Sequence, residues 1–254
     1  MNAYEKVLKS REKGRPTAVK YIDTIVENFI ELHGDRRFAD DKAVVGGIGR
    51  INGMPVTVIG IEKGDGTPDK IAHNFGCAHP EGYRKAMRLM KEAEKFHRPV
   101  LCFVDTSGAY CGIGAEERGQ SEAIASSIME MLRLKTPSLS IIIGEGGSGG
   151  ALSLCAADEV WITSNSTYSV ISPEGCASIL WKDSAKVAEA SESLKMTAED
   201  LVKLGAVEKV FEENDFPAEF FENMKEQIAG FFCEKRKIPP ETLVEERYRR
   251  FRKF

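Results

Sequence analysis

The residues with the clearest chemical potential form a run of seven, Gly144 to Gly150, of which five are glycines. Glycine loses more backbone entropy on folding than any other residue, and a compact turn usually needs only one or two. The surplus indicates that a ligand or another backbone segment approaches the chain closely here. A close helix–sheet crossing would explain a lone glycine pair, but a second glycine-rich stretch in the same chain favours a functional site.

Dinucleotide binding is the first chemistry that this run suggests. Gly144, Gly146 and Gly149 match the G-x-G-x-x-G fingerprint, and the run lies between a predicted strand and a predicted helix. The fingerprint also requires an acidic residue about 20 positions later. The corresponding segment, 163–166, contains none, which argues against this function. No Gly-Lys-Ser/Thr sequence is present, so the run is not a P-loop.

A serine hydrolase is the second candidate, because Ser148 lies at the centre of a G-x-S-x-G sequence. In an α/β-hydrolase an acidic residue and then a histidine must follow the serine. All four histidines, at positions 33, 73, 79 and 97, precede Ser148. Chain order therefore excludes the α/β-hydrolase arrangement and leaves only a histidine from an earlier segment as a base.

The third candidate is an oxyanion hole made of main-chain N–H groups. The start of a helix offers unpaired N–H groups and the positive end of the helix dipole. One such donor stabilises a developing oxyanion by about 2.7–4 kcal/mol, so two would carry much of a reaction without a catalytic side chain. This interpretation suits a glycine-rich segment that lacks a convincing nucleophile–base pair.

A second glycine-rich stretch, Asp105 to Gln120, follows an earlier predicted strand. Its Glu116, Glu117 and Arg118 have the chemistry of two catalytic acids and a cationic clamp. Carboxylates are also common in the solvated first turn of a helix, where the dipole favours them, and we prefer this interpretation. The glycines of the stretch are predicted to shape a wall of the same pocket.

Two similar units position these stretches. Each consists of a buried apolar strand that opens with proline, a glycine-rich segment and a helix. We predict the two strands over 99–104 and 137–143, a short helix over 151–157 and a third strand over 159–163. Uniformly apolar strands that alternate with helices indicate an α/β domain with a mainly parallel sheet, covered on both faces.

The segments before these units are predicted to form a helix and a hairpin. Apolar residues recur at helical spacing over 17–32, and two β-like runs, 43–51 and 55–62, are joined by Asn52-Gly53. Asn-Gly between apolar runs is the strongest short hairpin signal, because both residues accept positive φ. Pro80 suits the first position of a further helix.

Near the C-terminus, Thr197 has the spacing of a helix N-cap and Gly205 suits the end of that helix. A strand over 206–211 and an amphipathic helix over 219–233 are predicted to follow.

We predict a single domain over 15–233, with an N-terminal arm over 1–14 and a charged, peripheral tail over 234–254. The length of 254 residues fits one large α/β domain, and no low-complexity linker interrupts the chain. An apolar content of 42% is ample for a core, and the net charge of -4 argues against a dedicated nucleic-acid binder.

The cysteines and the N-terminus indicate a cellular compartment. None of the six cysteines forms a C-x-x-C pair, which predicts free thiols in a reducing compartment and no metal site within this chain. The first 13 residues lack an apolar signal region, and no run approaches about 20 apolar residues, the length of a membrane span. We therefore expect a cytoplasmic protein.

At both glycine-rich stretches the sequence strongly resembles the alpha-subunit family of bacterial acetyl-CoA carboxylase carboxyltransferases, which belongs to the crotonase superfamily. The resemblance extends over roughly residues 15–212 and is far more specific than any short glycine pattern. The matching segments are 34–36, 39–47, 74–76, 80–86, 112–125, 144–152 and 166–181.

The resemblance implies a crotonase-like spiral of ββα units and a reaction in fatty acid biosynthesis. A carboxyl group would move from carboxybiotin, on a biotin carboxyl carrier protein, to acetyl-CoA and give malonyl-CoA. Biotin is the implied cofactor; biotin carboxylase takes part indirectly, and no cofactor is expected to bind tightly to this chain. The implied partner is a beta subunit that supplies most of the acetyl-CoA site and a four-cysteine zinc ribbon, in an α2β2 heterotetramer.

Transferred by position, the resemblance implies that the N–H groups of Gly150 and Ala151 face the ureido oxygen of biotin as it gains charge. Released biotin would itself take the acetyl proton, which explains why no side-chain base is evident. The residues implied to line the biotin side are Gly146, Gly147, Gly149, Gly108, Ala109, Gly112 and Gly114.

The sequence departs from the family pattern in two places. Ser107 and Cys111 replace two prolines, which predicts a less rigid loop because proline fixes φ. The helical N-terminal extension common in the family is missing, so the assembly contacts made there are not predicted. Two alternatives stay open: another biotin-dependent acyl-CoA carboxyltransferase or decarboxylase, and a non-catalytic scaffold for the beta subunit.

Overall fold

The computed structural model describes all 254 residues, which form eight strands and twelve helices. The strands are β1 (Glu27–Glu31), β2 (Val44–Ile51), β3 (Met54–Ile61), β4 (Val100–Thr106), β5 (Ser138–Gly147), β6 (Glu159–Thr163), β7 (Thr167–Ser169) and β8 (Lys209–Phe211). The helices are α1 (Ala3–Ser10), α2 (Ala18–Ile25), α3 (Thr67–Ala72), α4 (Pro80–Lys95), α5 (Ile113–Glu117), α6 (Gln120–Arg133), α7 (Ser148–Cys155), α8 (Pro173–Cys176), α9 (Val187–Leu194), α10 (Ala198–Leu204), α11 (Ala218–Lys235) and α12 (Pro240–Phe251). No helix combines the length and the apolar character that a membrane span requires.

All eight strands belong to one sheet in the order β1-β2-β3-β4-β5-β6-β8, and β7 pairs with the end of β5. The first three strands are antiparallel, and every pairing from β3 onwards is parallel, as the apolar strands predicted. The predicted hairpin joins β2 to β3, with Asn52 at φ 47° and Gly53 at φ 75°.

The central strands are apolar throughout because both faces of the sheet are covered. In β4, Cys102 and Val104 point into a core of 27 buried residues shared with α4, α6 and α7. Leu101 and Phe103 point into a second core of 22 residues shared with α2 and α11. A strand of this kind buries successive side chains on opposite sides, so no polar alternation remains.

The helix predicted over 17–32 is only half correct, since α2 ends at Ile25 and β1 begins at Glu27. Val26 is already extended, with φ −102° and ψ 122°, and β1 then pairs with β2. Pairing with the sheet overrides the helical spacing of the apolar residues. The strand predicted over 206–211 is similarly shorter, because only Lys209–Phe211 reaches β6.

The N-terminal segment is a packed helix rather than a loose arm. A capping box between Asn2 and Glu5 closes the start of α1, and Val7 is fully buried. Lys6 Nζ donates to the carbonyl of Ser164, 2.8 Å away, which fixes the helix to the domain.

The C-terminal segment is also not peripheral, contrary to the prediction. Arg247 of α12 is 1% exposed and its guanidinium lies 2.7 Å from the carboxylate of Asp158. It also donates to the carbonyls of Met131 and Leu134 at the end of α6. A charged sequence hid this contact, because its partners lie about 90–115 positions away. The boundaries at 14/15 and 233/234 stay a prediction.

Candidate functional site

The two glycine-rich stretches meet at the carboxyl edge of the sheet. They follow the adjacent parallel strands β4 and β5, and Thr106 is the register partner of Gly146. A side chain on Gly147 would collide with the carbonyl of Ser107, and one on Gly150 would lie 2.8 Å from the nitrogen of Ala109. The stretches are therefore in direct backbone contact.

Contacts within the protein account for four of the five glycines in the run 144–150. Added Cβ atoms on Gly147 and Gly150 would meet the backbone of the β4–α5 loop, as described above. Those on Gly144 and Gly146 would lie 2.5 Å from the carboxylate of Asp105 and 2.9 Å from the ring of Tyr168. The sequence offered two explanations for these glycines, a ligand or another part of the chain that approaches closely. At these four positions the structure shows another part of the chain.

Gly149 is the exception, since an added Cβ there would lie 3.3 Å from Ile124 Cγ2 and meet no backbone. Gly147 and Gly149 are partly exposed and Ser148 is exposed, so the start of α7 reaches the surface. The open side of this segment is the place where a ligand can approach the main chain.

The turn is tighter than the sequence predicted. Strand β5 continues through Gly147, and α7 begins at Ser148, so a single residue changes the direction of the chain. Ser148 has φ 53°, which non-glycine residues rarely adopt. Its hydroxyl makes no hydrogen bond to any histidine, and the structure therefore offers no serine–histidine pair.

The hydrogen bonds of α7 decide which N–H groups are free. In a regular helix that begins at Ser148, the N–H of Ala151 would be the first with an acceptor four residues earlier, the carbonyl of Gly147. Ala151 is also completely buried. The role of Ala151 as an oxyanion donor stays a prediction. The N–H groups of Ser148, Gly149 and Gly150 have no such partner within the helix.

Ala109 of the β4–α5 loop supplies a further free donor. Its N–H meets no acceptor within the protein, whereas the neighbouring Gly108 N–H donates to Thr106 Oγ1 over 3.0 Å. Ala109 lies against Gly150, so the free donor of one turn lies beside the first turn of α7. The structure thus brings Gly150 and Ala109 together, as the sequence predicted for the site.

The β4–α5 loop is held firmly although Ser107 and Cys111 replace prolines. Tyr110 stacks on His79 with ring centroids 4.0 Å apart. The buried side-chain amide of Gln120 donates to the carbonyls of Ala78 and Tyr110 over 2.8 and 2.9 Å. These contacts take over the restraint that the prolines would have given, and sequence analysis missed both of them.

The other predicted residues of this stretch contact solvent or neighbouring side chains of the protein. Glu116 and Glu117 are exposed and form no ion pair, which agrees with a solvated helical turn. Arg118 Nε lies 2.6 Å from the buried carboxylate of Glu81. Added Cβ atoms on Gly112 and Gly114 would lie 2.8 Å from the ring of Tyr110 and 3.1 Å from the Arg118 guanidinium, both within the same loop.

A partly buried group of charges, with the carboxylates of Asp105 and Glu145 inside, lies behind the two turns, and sequence analysis did not find it. Lys63 Nζ is 3.1 Å from Asp105 and 2.6 Å from Glu145, and Arg11 Nε is 2.7 Å from Glu145. Burial alone would raise the pKa of Glu145, but the positive charges of Lys63 and Arg11 outweigh burial and lower it. Burial would lower the pKa of Lys63, but the two carboxylates raise it. Lys63 and Glu145 therefore stay charged at neutral pH.

No three His, Cys, Asp or Glu side chains of the chain are arranged to hold a metal ion. The chemistry that the two turns offer is that of main-chain N–H groups, such as the free donor of Ala109. They suit an oxygen atom that carries or gains negative charge.

Several solved structures have the same fold. The transcarboxylase 12S structure, with methylmalonyl-coenzyme A bound, matches 91% of this chain with a TM-score of 0.74 at 18% identity. The beta subunit of Pseudomonas aeruginosa geranyl-CoA carboxylase matches 94% of this chain with a TM-score of 0.70 at 16% identity. This chain spans 44% and 46% of those two chains. The predicted crotonase-like α/β fold is confirmed.

Comparisons of sequence identify the family. A relative from Ruminiclostridium cellulolyticum, named acetyl-coenzyme A carboxylase carboxyl transferase subunit alpha, is 56% identical over 100% of this chain and 98% of its own length. A relative of the same name from Streptococcus sanguinis is 55% identical over 98% of this chain and 97% of its own. The family model described as acetyl co-enzyme A carboxylase carboxyltransferase-like matches residues 1–254. The chain therefore belongs to the acetyl-CoA carboxylase carboxyltransferase alpha-subunit family.

Proposed function

We propose that this chain works with a beta subunit to transfer a carboxyl group from carboxybiotin, on a carrier protein, to acetyl-CoA and so to form malonyl-CoA. Full-length relatives that carry the alpha-subunit name at 55–56% identity support this assignment. The observation that carries the mechanism is the pair of unpaired donor groups at the start of α7 and at Ala109.

Biotin fits these donors, because its ureido oxygen gains negative charge when the carboxyl group leaves. Gly150 lies against the main chain of Ala109, and the preceding residues Gly147 to Gly149 reach the surface. Each donor aimed at such an oxygen stabilises it by about 2.7–4 kcal/mol. These residues bind and orient the oxygen, and Ala151 supports them by continuing the helix.

The biotin side is proposed to include the other glycines as shaping residues. Gly146 and Gly147 keep β5 against its neighbours, and Gly108 at φ 148° lets the loop bend beside Gly150. Gly112 and Gly114 shape the outer part of the same loop. Their role is to place the donors rather than to touch the ring.

Exposed apolar side chains beside the site fit a partner subunit. Ile113 on the β4–α5 side is 80% exposed, and Val170, directly after β7, is 77% exposed. Because Ser169 of β7 pairs with Gly147, Val170 lies near the start of α7, while Ile113 follows the β4–α5 loop that contacts it. Exposed apolar surface of this kind is typical of an interface. A beta subunit that supplies the acetyl-CoA site and a zinc ribbon, in an α2β2 assembly, would cover it.

Two substitutions at one position test the donor role. Gly149→Pro removes an N–H in the first helical turn, where proline is tolerated, and Gly149→Ala adds the same Cβ but keeps the N–H. In the complex with beta subunit and carrier, we expect Gly149→Pro to lower kcat by about 10²–10³-fold. Gly149→Ala should retain nearly full activity. Equal activities of the two folded variants would remove Gly149 from the site.

The same pair of variants separates catalysis from a scaffold. If the chain only completes the fold of a beta subunit, the complex with Gly149→Pro would keep its activity, provided that it still assembles.

The acyl group of the substrate is a second open point, since the solved neighbours include a geranyl-CoA carboxylase and a structure with methylmalonyl-coenzyme A. Turnover with acetyl-CoA well above that with propionyl-CoA or malonyl-CoA supports the proposed substrate.

A further inference from the structure

Glu145 stands directly before the glycines that lead into α7 and is tied to three other parts of the chain. Its carboxylate accepts from Lys63 after β3 and from Arg11 after α1, at 2.6 and 2.7 Å. Its N–H donates to the carboxylate of Asp105 in β4, at 2.9 Å. Both its side chain and its backbone are therefore held.

The same contacts reach both turns of the site. Asp105 lies two residues before Ser107, whose carbonyl touches Gly147, and Asp105 itself packs against Gly144. Glu145 lies three residues before Ser148, where the chain turns into α7. A shift of Glu145 would thus move the N–H groups of α7 relative to that of Ala109.

Glu145, Lys63 and Asp105 lie in the sheet or in the loops that follow its strands. Arg11 is the one partner of Glu145 that does not. Besides Glu145 it binds Glu174 of α8, with Nη1 2.6 Å from the carboxylate. It therefore spans the site from β5 to the segment that follows β7. Lys6 and the buried Val7 hold α1 independently of Arg11, so the helix has other anchors.

We propose that Arg11 is a positioning residue for carboxyl transfer, which acts through Glu145 to hold the start of α7 in register with the β4–α5 loop. The inference rests on the proposed function, because it takes the start of α7 as the binding site of the ureido oxygen. Small displacements of donor groups have large effects on rate, since a misplacement of about 1 Å can lower a rate about 100-fold.

The test compares Arg11→Gln with Lys6→Gln, a variant of the same helix that loses a partly buried ion pair with Glu199 away from β5. Both should lower the melting temperature by similar amounts. Well below that temperature, in the complex with beta subunit and biotinylated carrier, Arg11→Gln should lower kcat by about 10–100-fold with KM for acetyl-CoA unchanged. Lys6→Gln should keep kcat within twofold.

Arg11→Lys retains one positive charge and should recover part of the lost kcat; it also replaces Arg11→Gln if that variant does not fold. Equal kcat values for the Arg11 and Lys6 variants, or a change in KM alone, would overturn the inference. Gly149→Pro is measured in parallel. If it inactivates the complex and Arg11→Gln does not, only the role of Arg11 fails; if it stays active, the proposed oxyanion site itself fails.

Discussion

The end of β5 is held on two sides by contacts of opposite chemistry. On one side Gly147 and Gly150 touch the backbone of the β4–α5 loop with no side chain between them. On the other side, two residues before Gly147, the carboxylate of Glu145 is bound by Lys63 and Arg11. One contact depends on shape alone, and the other depends on charge.

These two kinds of contact position the N–H donors of the site in different ways. Backbone contact at glycine tolerates no added atom and does not titrate, so it sets a fixed distance between the two turns. The ion pairs reach segments far away in the chain, and their strength depends on protonation. Variants on the two sides should therefore respond differently to size and to pH.

The largest effect on stability is expected from Lys63→Met. Removal of this cation leaves the buried carboxylates of Asp105 and Glu145 facing each other, and loss of one partner of a buried pair costs about 3–5 kcal/mol. Chemical denaturation measures the free energy of unfolding. The double variant Lys63→Met/Asp105→Asn should recover part of the loss. A single variant as stable as the wild type would show that this charge group contributes little.

Gly147→Ala tests the steric side and should have the next largest effect. The added Cβ collides with the carbonyl of Ser107, so one of the turns must move. Overpacking of this kind costs about 1–3 kcal/mol, and the displaced donors should also lower kcat. Denaturation and turnover are measured together. Wild-type stability would mean that the two backbones are not in contact.

The stability of variants on the charged side of β5 should depend on pH, whereas that of variants on the glycine side should not. The pKa of Glu145 is lowered in the fold, so its contribution to stability is present above its ordinary value of about 4.5 and is lost as the pH falls through its lowered value. The stability difference between the wild type and Glu145→Gln should therefore stay constant from pH 7 to about 5 and shrink as the pH is lowered further, below about 4.5. The difference for Gly147→Ala should stay constant over the same range. A difference for Glu145→Gln that stays constant over this whole range would contradict the charge-dependent contact.

Gly149→Ala should have the smallest effect. Its Cβ meets only the γ2 methyl group of Ile124, 3.3 Å away, and no backbone, so we expect a change within about 0.5 kcal/mol in the free energy of unfolding. This variant is also the size control for Gly147→Ala. A loss as large as that of Gly147→Ala would mean that every glycine of the run is equally confined.

Features that depend on residues close together in the chain could be predicted from the sequence. Asn52-Gly53, the Pro80 helix and the Thr197 cap depend on neighbouring residues, and the structure has them as predicted. The proximity of the two glycine-rich stretches followed from parallel strands. The helix expected over 17–32 failed because the apolar spacing there also fits a strand that the sheet can recruit.

Contacts between residues far apart in the chain could not be predicted from the sequence. Arg11 and Glu145 are 134 positions apart, and Arg247 and Asp158 are 89 apart. Each charged residue alone is typical of a solvated surface, so the N-terminal segment was predicted to be an arm and the C-terminal segment a peripheral tail. The role given to Ala151 stays a prediction, because the start of α7 at Ser148 decides which N–H groups remain free.

The most direct measurement is a structure of the complex of this chain with its beta subunit and biotin. The account predicts a ureido oxygen about 2.7–3.1 Å from the main-chain nitrogens of Ala109 and of Gly149 or Gly150. A ureido oxygen bound instead by side chains, or a biotin ring that does not reach the start of α7, would contradict it.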